Sequence, residues 1–263
     1  MTAVCYWFSG TGNSLFVARK ITEVFPQMQR VPITKALVEN PPRIHGDVVG
    51  FVFPVYAYGP PAIVKRFIAR AAKGEVGFLF TAVTHGGGPA AALTMVERLL
   101  TENNLPLHSA FSIRMPSNYV VGSNPVTGEK AAAIFAQGEK ETTRMCELLA
   151  QRAHVPVVSA ATGGRLKSWA VHPLFMRGLK TADRKFFSRD SCTGCGICVK
   201  VCPMENITLT AEKRPRWHGS CEYCLGCIHA CPERAIQTGM LTKKRRRYRH
   251  RDIPLKALLN RDH

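Results

Sequence analysis

Residues 192–203 read CTGCGICVKVCP and residues 221–232 read CEYCLGCIHACP, so one cysteine pattern occurs twice. The spacing Cys-x2-Cys-x2-Cys-x3-Cys-Pro is that of bacterial domains that hold two [4Fe–4S] clusters. The thiolates concerned are Cys192, Cys195, Cys198, Cys202, Cys221, Cys224, Cys227 and Cys231. Zinc sites commonly use paired Cys-x2-Cys with four ligands in total. Two runs that each end in Cys-Pro therefore favour iron–sulfur over zinc.

The order of the cysteines predicts which of them share a cluster. In this pattern the fourth cysteine of a run ligates the other cluster. One cluster is expected on Cys192, Cys195, Cys198 and Cys231, and the other on Cys221, Cys224, Cys227 and Cys202. Gly194, Gly196 and Gly226 are expected to let backbone amides approach the sulfurs, which tunes the reduction potential. The other two of the ten cysteines, Cys5 and Cys146, are predicted to be core residues.

Upstream of the cysteines, apolar runs alternate with amphipathic segments. The predicted strands are Ala3–Phe8, Met28–Ile33, Asp47–Phe53, Val76–Val83 and Leu107–Met115, and the predicted helices are Asn13–Phe25, Pro61–Ala72, Pro89–Glu102 and Glu129–Ala153. Continuous apolar strands that alternate with helices indicate a parallel sheet covered on both faces. The sequence thus predicts an α/β, flavodoxin-like, doubly wound five-stranded parallel sheet, followed by a small α+β ferredoxin-type domain with two [4Fe–4S] clusters.

The first loop, Ser9–Ser14, follows a strand and opens a helix. Helix N-terminal amides, with added hydroxyls, form a phosphate site. A Walker loop would need a lysine after its last glycine, and the dinucleotide fingerprint would need a third glycine where Leu15 stands. A phosphate monoester held by neutral donors fits this loop best.

Two further loops at the same edge of the sheet, Pro54–Pro60 and Thr84–Pro89, suit a flavin ring. Aromatic side chains in the first offer stacking, and glycines in the second allow close approach of the backbone. The candidate flavin-binding residues are Ser9, Gly10, Thr11, Gly12, Asn13, Ser14, Pro54, Val55, Tyr56, Ala57, Tyr58, Thr84, His85, Gly86, Gly87, Gly88, Asn118 and Tyr119. The alternative is a fold without cofactor whose glycines serve only turns, with the tyrosines covering the sheet edge. His85 is expected to be a hydrogen-bonding loop residue, and no catalytic residue is assigned.

The Ser9–Ser14 loop resembles the FMN phosphate loop of flavodoxins. The chain as a whole resembles the EFR-type ferrodoxins, which join a flavodoxin-like domain to a module with two [4Fe–4S] clusters. The residues that carry this resemblance are 8–14, 54–56, 86–89, 115–119 and the eight cysteines. It covers about residues 1–238 and implies noncovalent FMN and an electron-transfer role. The basic segment after residue 238 is not part of the family pattern.

The predicted organisation has four parts: a flavodoxin-like domain (1–153), a linker with a basic helix at Pro173–Phe187 (154–187), a ferredoxin-type domain (188–238) and a basic tail (239–263). Net charge is +18, with a dense run, KKRRRYRHR, at residues 243–251. Such charge blocks are usually solvated and mobile. The tail could instead dock an acidic redox partner, or contact nucleic acid or anionic lipid. No signal peptide or membrane span is expected, so a cytoplasmic location is predicted.

The leading functional hypothesis is a relay of electrons between the clusters and the flavin, and to or from a redox partner such as a ferredoxin, a flavoprotein or an oxidoreductase. No second Gly-rich strand–helix turn offers a nicotinamide site. One alternative is an FMN-dependent reductase of a small-molecule acceptor. Another is a nucleic-acid- or membrane-surface protein whose clusters are structural.

Overall fold

The computed structural model describes residues 2–72 and 74–259. Met1 and residues 260–263, the outer ends of the first and last predicted parts, lie outside the described residues, as does Lys73. The strands are β1 Ala3–Trp7, β2 Gln29–Pro32, β3 Gly46–Pro54, β4 Val76–His85, β5 Ser109–Arg114, β6 Phe186–Ser188, β7 Ile207–Leu209, β8 Pro215–Trp217 and β9 Ile236–Thr238. The helices are α1 Asn13–Val24, α2 Ile33–Ala36, α3 Ala62–Arg70, α4 Ala92–Glu102, α5 Gly128–Ala150, α6 Thr162–Leu179, α7 Ile197–Val201, α8 Gly226–Ala230 and α9 Lys256–Leu259.

Strands β1 to β5 form one parallel sheet in the order β2-β1-β3-β4-β5. This is the doubly wound flavodoxin-like order, so the predicted fold is confirmed. Strands β3 and β4 are buried along most of their length, which explains their nearly continuous apolar sequence. The change of direction in strand order puts the loops after β1, β3 and β4 side by side at the carboxyl edge, where ligands of such sheets bind.

Helices cover the sheet on two sides. α1 and α5 pack on one face, and α2, α3 and α4 pack on the other. Cys5 and Cys146 lie in the layer between the sheet, α1 and α5, and burial raises the pKa of Cys5 to about 12 and that of Cys146 to about 11. The prediction that both are core residues is confirmed, because neither thiol is exposed or ionised.

The cysteine-rich part is a small α+β domain. β6 pairs with β9 and β7 pairs with β8, both antiparallel, and the short helices α7 and α8 contact each other. Its buried side chains, among them Val201, Leu225 and Ile228, belong to the same apolar cluster as the α1–α5 layer. The two domains therefore share one hydrophobic core.

The predicted basic helix at Pro173–Phe187 is wrong in its bounds. The observed helix, α6, begins at Thr162 and ends at Leu179, with Pro173 inside it. Proline inside a helix removes one backbone hydrogen bond, but Pro173 lies on the exposed face. There, water can bond the carbonyl that proline leaves without a partner. No helix in the described parts of the chain is long and apolar enough to cross a membrane.

The basic tail is not a wholly solvated segment in the described residues. Tyr248, His250, Ile253 and Leu258 are buried. The His250 ring stacks on Phe16 of α1, with ring centroids 4.3 Å apart. The apolar and aromatic residues placed within and after the basic run thus fasten this segment to the first domain.

Candidate functional site

A cavity of about 500 Å³ opens at the carboxyl edge of the sheet. All three loops predicted to bind a flavin line it, and so do Asn118 and Tyr119. Of the candidate residues only Gly12 does not line it, because this glycine faces the tail. A Cβ at Gly12 would lie 3.0 Å from Ile253 and 3.1 Å from His250. The sheet topology therefore brings the predicted residues together around one space.

The Ser9–Ser14 loop presents hydroxyl protons to this cavity. Ser9 Oγ accepts a hydrogen bond from the Gly12 amide at 3.0 Å, and Thr11 Oγ1 accepts one from Asn118 Nδ2 at 3.0 Å. Each hydroxyl retains its own proton for donation, since a hydroxyl has one donor and two acceptor sites. The first-turn amides of α1 have no intrahelical acceptor. The loop thus combines amide and hydroxyl donors, as a phosphate requires.

The second loop holds an uncommon turn. The Tyr56 and Gly59 backbones exchange hydrogen bonds at 2.9 and 3.0 Å, while Ala57 and Tyr58 have φ angles of 45° and 68°. Residues other than glycine seldom adopt this conformation, and where they do, functional sites are enriched. The turn aims Tyr56 and Tyr58 at the cavity, whose wall both of them form.

Helix α6 supports that turn from behind. Ser168 Oγ donates to the Tyr58 carbonyl at 2.7 Å, and the buried His172 ring places Nδ1 3.2 Å from the Tyr56 carbonyl. Burial lowers the pKa of His172, so the ring is neutral at pH 7 and its Nδ1 donates to that carbonyl. These two residues, four apart on one helix face, fix the flavin loop and were not predicted from the sequence.

The glycine loop after β4 is organised by His85. Its Nδ1 accepts a hydrogen bond from the Gly88 amide at 2.8 Å, and burial lowers its pKa. The neutral ring therefore acts as the hydrogen-bonding loop residue that the sequence suggested. A Cβ at Gly87 would meet nothing within 4 Å, so the loop leaves the cavity open at this point.

The eight motif cysteines surround two smaller cavities. Cys192, Cys195, Cys198 and Cys231 line one of them. Cys202, Cys221, Cys224 and Cys227 line the other. Each set takes three cysteines from one run and the fourth from the other run, which is the grouping that the spacing predicts.

The spacing of these thiols disfavours a single metal ion. Zn–S bonds of about 2.3 Å require the four sulfurs to lie within about 4 Å of one another. Among the residues that the structure describes, no group of three or more His, Cys, Asp or Glu side chains is placed to hold one ion. Backbone amides already point at three sulfurs: Asn206 N to Cys202 at 3.4 Å, Tyr223 N to Cys221 at 3.3 Å, and Ala235 N to Cys231 at 3.2 Å.

The two cysteine loops have the same backbone conformation at equivalent positions but carry different side chains there. Gly194 and Gly196 have φ angles of 69° and 74°, and at the equivalent positions of the second loop Tyr223 and Leu225 have φ angles of 55° and 62°. A left-handed conformation costs a residue with a side chain roughly 1–2 kcal/mol. The second loop bears this cost, and its Tyr223 and Leu225 line the large cavity.

Close packing joins this second cysteine loop to the Ser9–Ser14 loop, which is called the phosphate loop below. A Cβ at Gly10 would lie 2.9 Å from Cys224 Cβ and closer still to the Cys224 carbonyl oxygen. Glu222 is only 5% exposed, and its Oε1 lies 3.6 Å from an Arg66 nitrogen. Burial raises the pKa of Glu222, whereas the start of α3 at Ala62 and Ile63 and the Arg66 cation oppose that rise. The second cysteine loop thus places an acidic side chain beside the start of a helix that has no side-chain cap.

A hydrogen-bonded chain through His229 fastens the remaining side. The Tyr248 amide donates to His229 Nδ1 at 2.9 Å, so the ring proton is on Nε2 and donates to the Asn118 carbonyl at 2.8 Å. Tyr248 Oη in turn donates to Asn13 Oδ1 at 2.6 Å. The tail thus links the cysteine-rich domain, the Asn118 loop and the phosphate loop.

The residues present fit FMN. The loop that opens α1 has donors for a phosphate and no acidic residue in its first turn. The ring loops supply tyrosines, and the glycine loop leaves room at Gly87 and Gly88. The sequence did not predict the rest of the wall, which α6, the second cysteine loop and the segment before Asn118 form: Pro116, Ser117, Lys167, Val171, Phe175, Tyr223 and Leu225.

Comparison with known protein families supports the interpretation of the cysteine-rich part as an iron–sulfur domain. Residues 184–232 match the family of 4Fe-4S dicluster domains. These residues therefore form a 4Fe–4S ferredoxin-type domain. The matched segment is a minor part of the 263-residue chain, and no curated protein sequence matches the chain.

Solved structures resemble the first domain. An archaeal flavodoxin is 12% identical, with 55% of this chain and 98% of that chain covered and a TM-score of 0.35. An FMN-dependent NADH-azoreductase from Bacillus anthracis strain Ames Ancestor, solved with FMN, is 9% identical, with 57% and 100% covered and a TM-score of 0.39. Rubredoxin oxygen:oxidoreductase from Desulfovibrio gigas is 10% identical, with 57% and 36% covered and a TM-score of 0.37.

Proposed function

We propose that the chain is an electron-transfer protein that holds FMN and two [4Fe–4S] clusters, relays electrons between them, and exchanges electrons with a redox partner protein. FMN exchanges one or two electrons, and a [4Fe–4S] cluster exchanges one. The same features support membership in the EFR-type flavodoxin–ferredoxin fusions, which the sequence resembles.

One observation carries this proposal. Tyr223 and Leu225 lie between cluster ligands of one loop and also form part of the wall of the flavin cavity. Both hold a left-handed backbone that glycine adopts without cost in the first loop. Leu225 lines both the cavity of the second cysteine set and the flavin cavity, so its side chain lies between the two. A merely structural cluster would not need this placement.

The arrangement also supports an order of electron transfer between the partner, the two clusters and the flavin. The set around Cys224 adjoins the flavin cavity, whereas Cys195 of the other set is exposed. The cluster on the Cys195 set is therefore the exchange point with a partner. Near it, Lys213 packs against Gly194, and Arg214 Nη1 donates to the Arg189 carbonyl at 2.9 Å. With a net charge of +18, the favoured partner is a redox protein with an acidic surface.

The test begins with anaerobic purification of the full chain. Iron, acid-labile sulfide and released flavin are counted, and about eight irons and one FMN per chain are expected. Reductant is then added in substoichiometric steps while cluster and flavin absorbance are followed together. A protein that stays colourless after reconstitution, or takes up zinc and no flavin, contradicts the proposal.

A second candidate is an FMN-dependent reductase of a small acceptor. The observation that favours it is the open cavity rim, where Tyr58 and Tyr119 are 38% and 49% exposed. Reduced protein mixed with quinones or nitro compounds, and separately with an oxidised acidic ferredoxin, distinguishes the two. Faster oxidation by the ferredoxin supports the relay, and saturable turnover of the small acceptors supports the reductase.

A further inference from the structure

Helix α6 exposes apolar side chains on the face opposite its buried face. One face, with Ser168, His172 and Leu179, is buried against the protein. The opposite face carries Leu166, Trp169 and Leu174, which are 62%, 77% and 65% exposed. The apolar side chains of a surface helix normally form a stripe that faces the core. The outer face of α6 therefore lacks a cover in the isolated chain.

Cations flank this apolar face at both ends. Arg165 and Lys167 lie in the first turns, and Arg177 and Lys180 lie at the end of the helix. No Asp or Glu occurs between Glu147 and Asp183. Within the described residues, no carboxylate pairs with Arg165, Arg177 or Lys180 either. An occupant of this face must be apolar at its centre and anionic around it.

We propose that the outer face of α6 docks on an anionic phospholipid surface. Trp and Leu at the centre with Lys and Arg around them is the pattern of helices that lie in the plane of a membrane interface. The long cationic side chains can reach the headgroups while their stems cover apolar surface. A second copy of this chain would bring a further +18 of charge against the same cations, which disfavours self-association.

The position of the cavity agrees with this orientation. Lys167, Val171 and Phe175 of α6 line the flavin cavity, together with the half-exposed aromatic residues Tyr58 and Tyr119. Tyrosine is enriched where protein meets the headgroup layer. When α6 lies on the lipid, the mouth of the cavity lies beside that layer. The docking itself does not depend on the redox function.

The experiment uses the anaerobically purified holoprotein with phosphatidylcholine vesicles and with vesicles of phosphatidylcholine and phosphatidylglycerol. Co-sedimentation gives the partition coefficient. Binding is expected to the anionic vesicles, and to be weaker at high salt. The triple variant Leu166→Gln, Trp169→Gln, Leu174→Gln is expected to lower the partition coefficient by about tenfold or more.

Matched control variants distinguish binding through this face from non-specific adsorption of the protein to vesicles. Val38→Gln, Met240→Gln, Leu241→Gln removes three side chains that are 84%, 74% and 64% exposed elsewhere, and should leave partition unchanged. Arg165→Gln with Arg177→Gln should weaken binding more than Lys130→Gln with Lys140→Gln, which removes the same charge from the exposed face of α5. In vesicles with brominated lipid, Trp169 fluorescence should be quenched.

Each alternative result overturns the proposal. Absence of binding to anionic vesicles does so, as does a helix triple variant that binds like the control triple variant. If the charge variants lose binding and the helix triple variant keeps it, the protein adsorbs to the vesicles by charge alone. Capture on immobilised polyglutamate that needs the α6 residues, without vesicle binding, assigns the face to an acidic protein instead.

Discussion

Gly10 of the phosphate loop lies directly against Cys224 of the second cysteine loop, without room for a methyl group between them. The contact joins a backbone that faces the flavin cavity to a residue of the neighbouring cluster set. The absence of a side chain at position 10 is thus a requirement of the interface between the domains as well as of the loop.

Gly10→Ala should therefore destabilise the protein. A methyl group there would overlap Cys224, and overpacking of this kind costs about 1–3 kcal/mol. The measurement is the free energy of unfolding of the holoprotein in guanidinium chloride. Gly87→Ala is the control, because a Cβ at Gly87 meets nothing within 4 Å. Equal stability of the two variants would contradict the contact.

The two cysteine sets predict which substitutions behave alike. Cys198 and Cys231 line the same cavity. The variants Cys198→Ser and Cys231→Ser should therefore lose the same cluster, which lowers the iron content from about eight to about four per chain. Cys202→Ser lines the other cavity and should leave the complementary spectrum. Cys146→Ser, in the α5 core, should keep full iron. If Cys198→Ser and Cys202→Ser gave the same residual spectrum, the grouping would be wrong.

Removal of the Thr11 hydroxyl should weaken FMN binding. Thr11 Oγ1 accepts from Asn118, and its free proton is available to a phosphate oxygen. A hydrogen bond to a charged group contributes about 1.5–3 kcal/mol, so Thr11→Ala should raise the FMN dissociation constant by about tenfold or more. Fluorescence titration of the reconstituted chain measures this constant. Thr11→Ser and the exposed Thr143→Ala should bind as the parent does, and an unchanged constant for Thr11→Ala would refute the phosphate role.

The buried His250 should make stability depend on pH. Burial lowers the pKa of His250 to about 4, whereas Asp252 and Glu139 oppose that shift and Arg251 adds to it. Because the folded pKa is below the unfolded value, this contribution is present above pH ~6.5 and falls by up to about 3 kcal/mol as pH drops towards 4.

Denaturant titrations at pH 7 and pH 5 measure that dependence. His250→Gln should flatten the fall in unfolding free energy between these two values. His45→Gln, at an exposed position, should retain the parental slope. Identical slopes for both variants would show that His250 is not buried in its neutral form.

The parts of the fold that the sequence predicted are those with a local signal. The β3 and β4 strands are continuous apolar runs, and the cysteine spacing is diagnostic by itself. The three cavity loops followed from strand order, since parallel strands end at the same edge.

The parts that were missed depend on contacts distant in sequence. Residues 243–251 have the composition of a solvated run, yet the Arg247 guanidinium donates to the carbonyls of Thr242 and Arg245, each at 3.0 Å. Composition does not show which carbonyl groups will accept hydrogen bonds from a half-buried arginine. One signal was present in the sequence: the glycines at 194 and 196 of the first run are replaced by Tyr223 and Leu225 in the second.

The bond between Tyr248 and Asn13 spans 235 positions of the chain. During synthesis the phosphate loop leaves the ribosome early, but the tyrosine that anchors it emerges only after both cysteine runs. The Asn13 side chain therefore gains this bond only after both cysteine runs, residues 192–231, have been synthesised. A fragment that ends before Tyr248 would accordingly lack this support for the Ser9–Ser14 loop.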